Sequence, residues 1–188
     1  MEQRDIFRQT NAFAMQYGAL FGIQWIIGFT CFILCLQHPT LQAAYLVILF
    51  AVPFIGWYLV KTFRDRVTEG FISFRRAFLF SLMTYFYATV LLAITAYIYF
   101  EFIDHGQFFA AYLEYLERPE VKQILNTPDM QLQMQTLFPE NGLKGAVEML
   151  QGLSSTVIVA NIIDINIFMG LILSLLTALF VKRNKRLV

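Results

Sequence analysis

The sequence predicts an all-α, polytopic membrane protein with four transmembrane helices. Three observations carry that expectation. Of 188 residues, 58% are hydrophobic and only 14% charged, against about 25% charged in a soluble domain, and the mean hydropathy is +0.59. Charge is also missing over long intervals: residues 9–60 and 77–100 contain no Asp, Glu, Lys or Arg. About 20 apolar residues rising roughly 1.5 Å each cross a hydrocarbon core of about 30 Å. The first interval therefore holds two crossings and the second holds one. Finally, twenty Phe and nine Tyr are more aromatic surface than a soluble core of this size could hide.

The spans are expected at about 13–36, 41–60, 77–102 and 158–181. Together they make a single membrane domain over 1–188, with an extracytoplasmic helical insertion at 104–155. The first apolar stretch is too long for the h-region of a signal peptide and no good cleavage site follows it, so it reads as a retained span. Orientation follows from the bases. Arg4, Arg8, Lys61, Arg64, Arg66, Arg75, Arg76, Lys182, Arg183, Lys185 and Arg186 lie on the termini and the connection between spans two and three, beside only four acids. Residues 101–151 carry eight acids and three bases. Bases gather on the cytoplasmic side of short loops, which places both termini and the 61–78 connection in the cytoplasm. There Lys61, Arg64, Arg66, Arg75 and Arg76 are read as anchors to anionic headgroups, worth about 1 kcal/mol each. That explains them without nucleic acid.

In the first span, Ala14, Gly18 and Gly22 recur every four residues and so line one helix face. Small residues let a second helix approach closely. Packing against another span of the same chain is the first reading and a homodimer seam the second. Gln24 needs a partner at mid-span, for which Thr84 or Thr89 is expected. Cys31 and Cys35, one turn apart with no nearby His, read as small packing residues rather than a metal or redox pair. Residues 37–40 form a turn at Pro39, and Pro53 predicts a kink in the second span.

At the exit of the third span, Glu101, Asp104 and His105 would share a helix face, a spacing that could hold a metal ion; one His and two carboxylates are an incomplete set. The plainer reading is a solvated helix end, with Asp104 and Gln107 as a capping box. In the insertion, Phe108, Phe109, Tyr112, Tyr115 and Leu116 mark one face of an amphipathic helix, which Pro119 stops. Thr127, Pro128 and Asp129 read as N-cap, first position and first-turn acid of the next helix. Met130, Met134, Leu137 and Phe138 face one way on it. Residues 139–142 turn, and Leu143, Val147 and Leu150 mark a third. Packing on the spans as a cap is the expected arrangement. In the fourth span, Asn161, Asp164 and Asn166 fall in the outer third. An ionisable residue there is a functional-site hypothesis, weighed against a structural or interfacial Asp164.

No metalloprotease, nucleophile-elbow, Walker or dinucleotide motif is present, so no catalytic residue and no cofactor are expected. The Tyr17, Gly18, Gly22 opening, the run Gly70 to Phe78 (GFISFRRAF), the run Tyr97 to Asp104 (YIYFEFID) and the ending Leu176 to Arg183 (LTALFVKR) together resemble one family. It comprises uncharacterised four-helix inner-membrane proteins of Bacteroidota, domain of unknown function 4199. The resemblance implies this fold and a bacterial inner-membrane location, and it assigns no activity. The expected partners are the lipid bilayer and an envelope protein, for which the chain would be a non-catalytic accessory or scaffold. The alternative is a small solute or ion carrier using Gln24 and Asp164.

Overall fold

The computed structural model describes residues 3–137 and 142–183. Glu2, Phe138, most of the expected 139–142 turn, Glu140, Lys185 and Arg186 lie outside the described residues. Among the described residues, four helices are long and apolar enough to cross a membrane: α1 (Gln3–Leu34), α2 (Pro39–Val67), α3 (Phe74–Ile98) and α8 (Ser155–Val181). Between α3 and α8 lie a π-helical turn (Tyr99–Ile103) and the short helices α4 (Gln107–Glu117), α5 (Pro119–Leu125), α6 (Pro128–Leu137) and α7 (Gly142–Gln151).

Helix α1 starts about three turns before the expected span, because its polar beginning is held by α3. Arg76 donates to Gln9 Oε1 (2.7 Å) and Thr10 Oγ1 (3.2 Å), and the Tyr87 hydroxyl donates to Asn11 Oδ1 (2.7 Å). Pro39 opens α2, where its missing N–H has no intrahelical use. The 68–73 connection turns through Glu69 (φ 54°) and Gly70 (φ 83°), and Ser73 caps α3 by accepting from the Arg76 amide.

Helix α3 is the most buried span and α2 the least. Against α3, α1 runs parallel: Thr10 meets Arg76, Gly18 meets Thr84, and Gly22 meets Ala88, the same offset throughout. Helix α8 runs antiparallel to α3. Tyr85 packs on Gly170 and Ile72 forms a β-bridge with Arg183, two points equally spaced along each chain segment. That register sets Ser81 opposite Ser174 and Ala77 opposite Ala178, all four buried. Gly18 and Gly22 thus realise the intramolecular option. A Cβ on Gly18 would lie 2.6 Å from the Tyr87 Cβ and 2.9 Å from the Thr84 carbonyl oxygen.

The bundle is dense at the end carrying the 61–78 loop. Ala14, Val60, Phe63, Ile72, Ala77, Phe80, Ala178 and Val181 form one core there, and the Phe63 and Phe80 rings stack at 3.9 Å. At the other end α4 and α7 build a cap around Phe109, Leu116 and Val147. Phe32 of α1 touches Phe108 of α4, and Phe100 stacks on Phe109, so the cap is continuous with the spans. Pro119 does more than stop α4: it is the first residue of α5. Thr127, Pro128 and Asp129 take the expected N-cap, first and first-turn positions of α6. The Thr127 carbonyl accepts from the Gln131 amide (2.9 Å) and its hydroxyl donates to the Ile124 carbonyl (2.8 Å). An exposed Lys144–Glu117 pair at 3.0 Å links α7 to α4. The Lys144 ammonium holds the Glu117 carboxyl below its ordinary range. The link is therefore complete above that range and is lost as pH falls through the lowered value.

Gly18→Leu should lower stability by about 1–3 kcal/mol through overpacking, read by denaturant titration in mild detergent. Leu20→Ala, on the exposed face of α1, serves as control. Equal midpoints for the two variants would refute the α1–α3 contact.

Candidate functional site

A cavity of about 530 Å³ lies between the four spans, in the half of the bundle nearer the cap. Trp25, Gly28, Phe29 and Phe32 of α1 form one wall, and Tyr45, Ile48, Leu49, Val52 and Pro53 of α2 another. Tyr85 and Leu92 of α3 stand at the back, with Ile165, Asn166, Met169, Gly170 and Leu173 of α8 opposite α2. It exists because α2 touches different neighbours at its two ends. Near the loop, Arg64 donates to the Val181 carbonyl of α8 (3.2 Å) and Val60 and Phe63 pack with Ala178 and Val181. Near the cap, Ile48 leans on Gly28 of α1, and the Ile48 carbonyl accepts from Gln24 Nε2 (3.3 Å). Between those supports α2 and α8 stand apart.

The floor of the cavity is aromatic. Phe21, Trp25 and Tyr85 form a triangle with centroids 5.3, 5.3 and 6.0 Å apart. The Tyr85 ring reaches from Gly170 on α8 to Gly56 on α2, where any Cβ would overlap its hydroxyl. Trp25 Nε1 and the Tyr85 hydroxyl are buried without a partner. Neither atom is exposed, and apart from Asn166 the lining side chains are hydrocarbon and ring.

The expected site residues are distributed differently from their sequence grouping. Gln24 bonds α2, not Thr84 or Thr89, because those hydroxyls donate to their own helix at Phe80 and Tyr85. Asn166 reaches the cavity with its Nδ2 on the Ile162 carbonyl (2.7 Å). Asn161 is exposed and likewise bonded to Val157. Asp164 is exposed, outside the cavity, and no described residue pairs with it. Of the five bases, Arg64 and Arg76 turn inward to Val181, Gln9 and Thr10, while Lys61, Arg66 and Arg75 remain exposed.

Glu101, Asp104 and His105 do not converge. The π turn adds a residue to the helical repeat, and His105 takes a left-handed φ of 46°. Asp104 is buried, 3% exposed, and its carboxylate accepts from Tyr99 Oη (2.8 Å), the Gly106 amide (3.1 Å) and the Phe108 amide (2.9 Å). It thus caps α4 without Gln107's side chain. Glu101 and His105 are exposed. Among the described residues no three His, Cys, Asp or Glu side chains group as metal ligands.

The family described as "Protein of unknown function (DUF4199)" matches residues 16–183. No match was found among curated proteins or solved structures.

Asp104→Ala should destabilise the start of α4 by about 1–3 kcal/mol, since two amides and a hydroxyl lose their acceptor. Hydrogen exchange at Gly106–Phe108 would report it, with Glu101→Ala and His105→Ala unchanged. A zinc-dependent gain in stability that all three variants abolish would restore the metal reading instead.

Proposed function

The chain belongs to the DUF4199 family, to which no activity is attached, and from that premise we propose a non-catalytic accessory protein of the bacterial inner membrane. Its termini and 61–78 loop lie in the cytoplasm, and its cap docks an envelope partner. The observation that carries this reading is apolar surface left uncovered outside the spans. Ile124, Leu132, Leu137 and Met149, on α5, α6 and α7, are each more than half exposed. Large apolar side chains left exposed on three successive short helices are surface that a partner could cover. The same segment carries Glu114, Glu117, Glu120, Asp129 and Glu148 against Arg118, Lys122 and Lys144. An acid excess repels the anionic headgroups that basic interfacial helices seek. The fitting partner is therefore a protein with an apolar patch edged by bases.

The carrier reading has less support. It needs Gln24 and Asp164 on one path, yet Gln24 is held between α1 and α2 while Asp164 lies on the outer face of α8.

A photo-crosslinking residue at position 132, in native membranes, should capture one envelope protein. The double substitution Leu132→Asp, Leu137→Asp should release that protein in mild-detergent purification without shifting the melting of the spans. A wild-type protein that purifies alone and monodisperse, or a capture indifferent to the double variant, would sink the proposal.

A further inference from the structure

The cavity between α2 and α8 is largely apolar, but each of these helices leaves one polar group on it. On α2 the group is a backbone carbonyl. Pro53 lies inside the helix and has no N–H, so the Leu49 carbonyl loses its helical donor. Leu49, Val52 and Pro53 all line the cavity, which puts that open turn on its wall. Inside a membrane, a carbonyl freed by proline is satisfied by neighbouring side chains or by water. Gln24 reaches this stretch of α2 but spends its Nε2 on the Ile48 carbonyl (3.3 Å). Among the described residues no side chain donates to the Leu49 carbonyl.

On α8 the group is the Asn166 carboxamide. One amide hydrogen goes to the Ile162 carbonyl (2.7 Å), which leaves the second hydrogen and the Oδ1 acceptor. Both helices run from the cap to the loop. Their register is fixed by Arg64 on Val181 and by Gly56 and Gly170 at the two ends of Tyr85. Carried toward the cap, that register sets Asn166 level with the Leu49–Val52 turn. A freed acceptor and a free donor therefore stand at one depth on facing walls.

The space between them limits what they can hold. The lined stretches, Tyr45 to Pro53 and Ile165 to Leu173, are each about 12 Å long at the helical rise. Spreading about 530 Å³ over that length leaves roughly 45 Å² of cross-section. A partner helix about 10 Å across would need roughly 80 Å², so the slot is too narrow for one. Leu49, Ile165 and Met169 rim the open side and are exposed, so the entrance faces lipid. No lining side chain is charged. Counted back from Lys182 at the loop-end boundary, about 20 residues of α8 reach the cap-side boundary near Ile162. Asn166 then lies about 6 Å inside the hydrocarbon. An ionised headgroup drawn to that depth would find no counter-charge, whereas a hydroxyl needs only one donor and one acceptor.

We infer that the cavity binds an uncharged lipid alcohol. Its hydrocarbon chain lies along α2 and α8, and its hydroxyl donates to the Leu49 carbonyl and accepts from Asn166 Nδ2. This site is separate from the docking surface on α5–α7 and stands or falls independently of it.

Trp25 lines the cavity, and because the chain has only two Trp, Trp57→Phe leaves it as the sole reporter. In that background, phosphatidylcholine bilayers are doped with a long-chain alcohol brominated at mid-chain, or with its methyl ether, which lacks the donor. The alcohol should quench Trp25 at about 2- to 10-fold lower mole fraction, the worth of one hydrogen bond. Asn166→Leu should shrink that difference by removing one partner. Pro53→Ala should shrink it by returning an N–H to the Leu49 carbonyl, in a residue that favours the helix. Alcohol and ether that quench alike, a comparison needing no change at either position, would overturn the hydroxyl site. A preference that both substitutions leave intact would do the same. Quenching by neither compound, or equal quenching by mid-chain-brominated phosphatidylcholine at the same mole fraction, would overturn the lipid alcohol as occupant.

Discussion

Inside a bilayer, lipid tails are as apolar as leucine, so helices have no hydrophobic reason to leave them. What holds α3 between α1 and α8 is contact distance. Gly18 and Gly22 let α1 settle on the Thr84 and Ala88 backbone, and Gly170 lets α8 settle on Tyr85. Every other feature inherits its place from these two seams. The seams fix the register of α1 and α8 on α3, which in turn puts Arg76 beside Gln9 and Thr10 and Ile72 beside Arg183. Helix α2 meets α3 where the Tyr85 hydroxyl end lies on Gly56 and where Phe63 stacks on Phe80. It meets α8 near the loop and α1 near the cap, and the cavity is the space those contacts leave.

The loop end shows how polar groups secure what apolar contact begins. Arg64 supplies a donor to a C-terminal carbonyl of α8, where the helix dipole favours a cation. Arg76 crosses from α3 to α1 while its guanidinium lies over the Phe63 ring at 5.5 Å. These two bases close the bundle, while Lys61, Arg66 and Arg75 stay exposed. The side chains of one basic loop thus divide between bundle contacts and the surface.

Much of this architecture was legible in the sequence, because the bilayer imposes it residue by residue. Intervals without charge mark the spans, small residues four apart mark the α1 seam, and the aromatic face of 108–116 marks α4. What was hidden depends on local backbone events or on geometry between helices. The π turn at Tyr99–Ile103 displaced Glu101, Asp104 and His105 from one another, and nothing in the composition announces an extra residue per turn. Gln24 found the Ile48 carbonyl because threonine hydroxyls within a helix already bond the preceding turn. A helix at Pro119 was missed because the same residue that ends α4 is pre-organised to begin α5. The cavity has no sequence signature. It is a difference in lean between α2 and α8, visible only when both are placed.

The aromatic floor of Trp25, Phe21 and Tyr85 divides the bundle near its middle, with stacked rings and alanines on one side and free volume on the other. Packed protein barely compresses. The half built on Phe63, Phe80, Ala77 and Ala178 therefore leaves its side chains a single arrangement, whereas the cavity gives the side chains of α2 and α8 around it room to change rotamer.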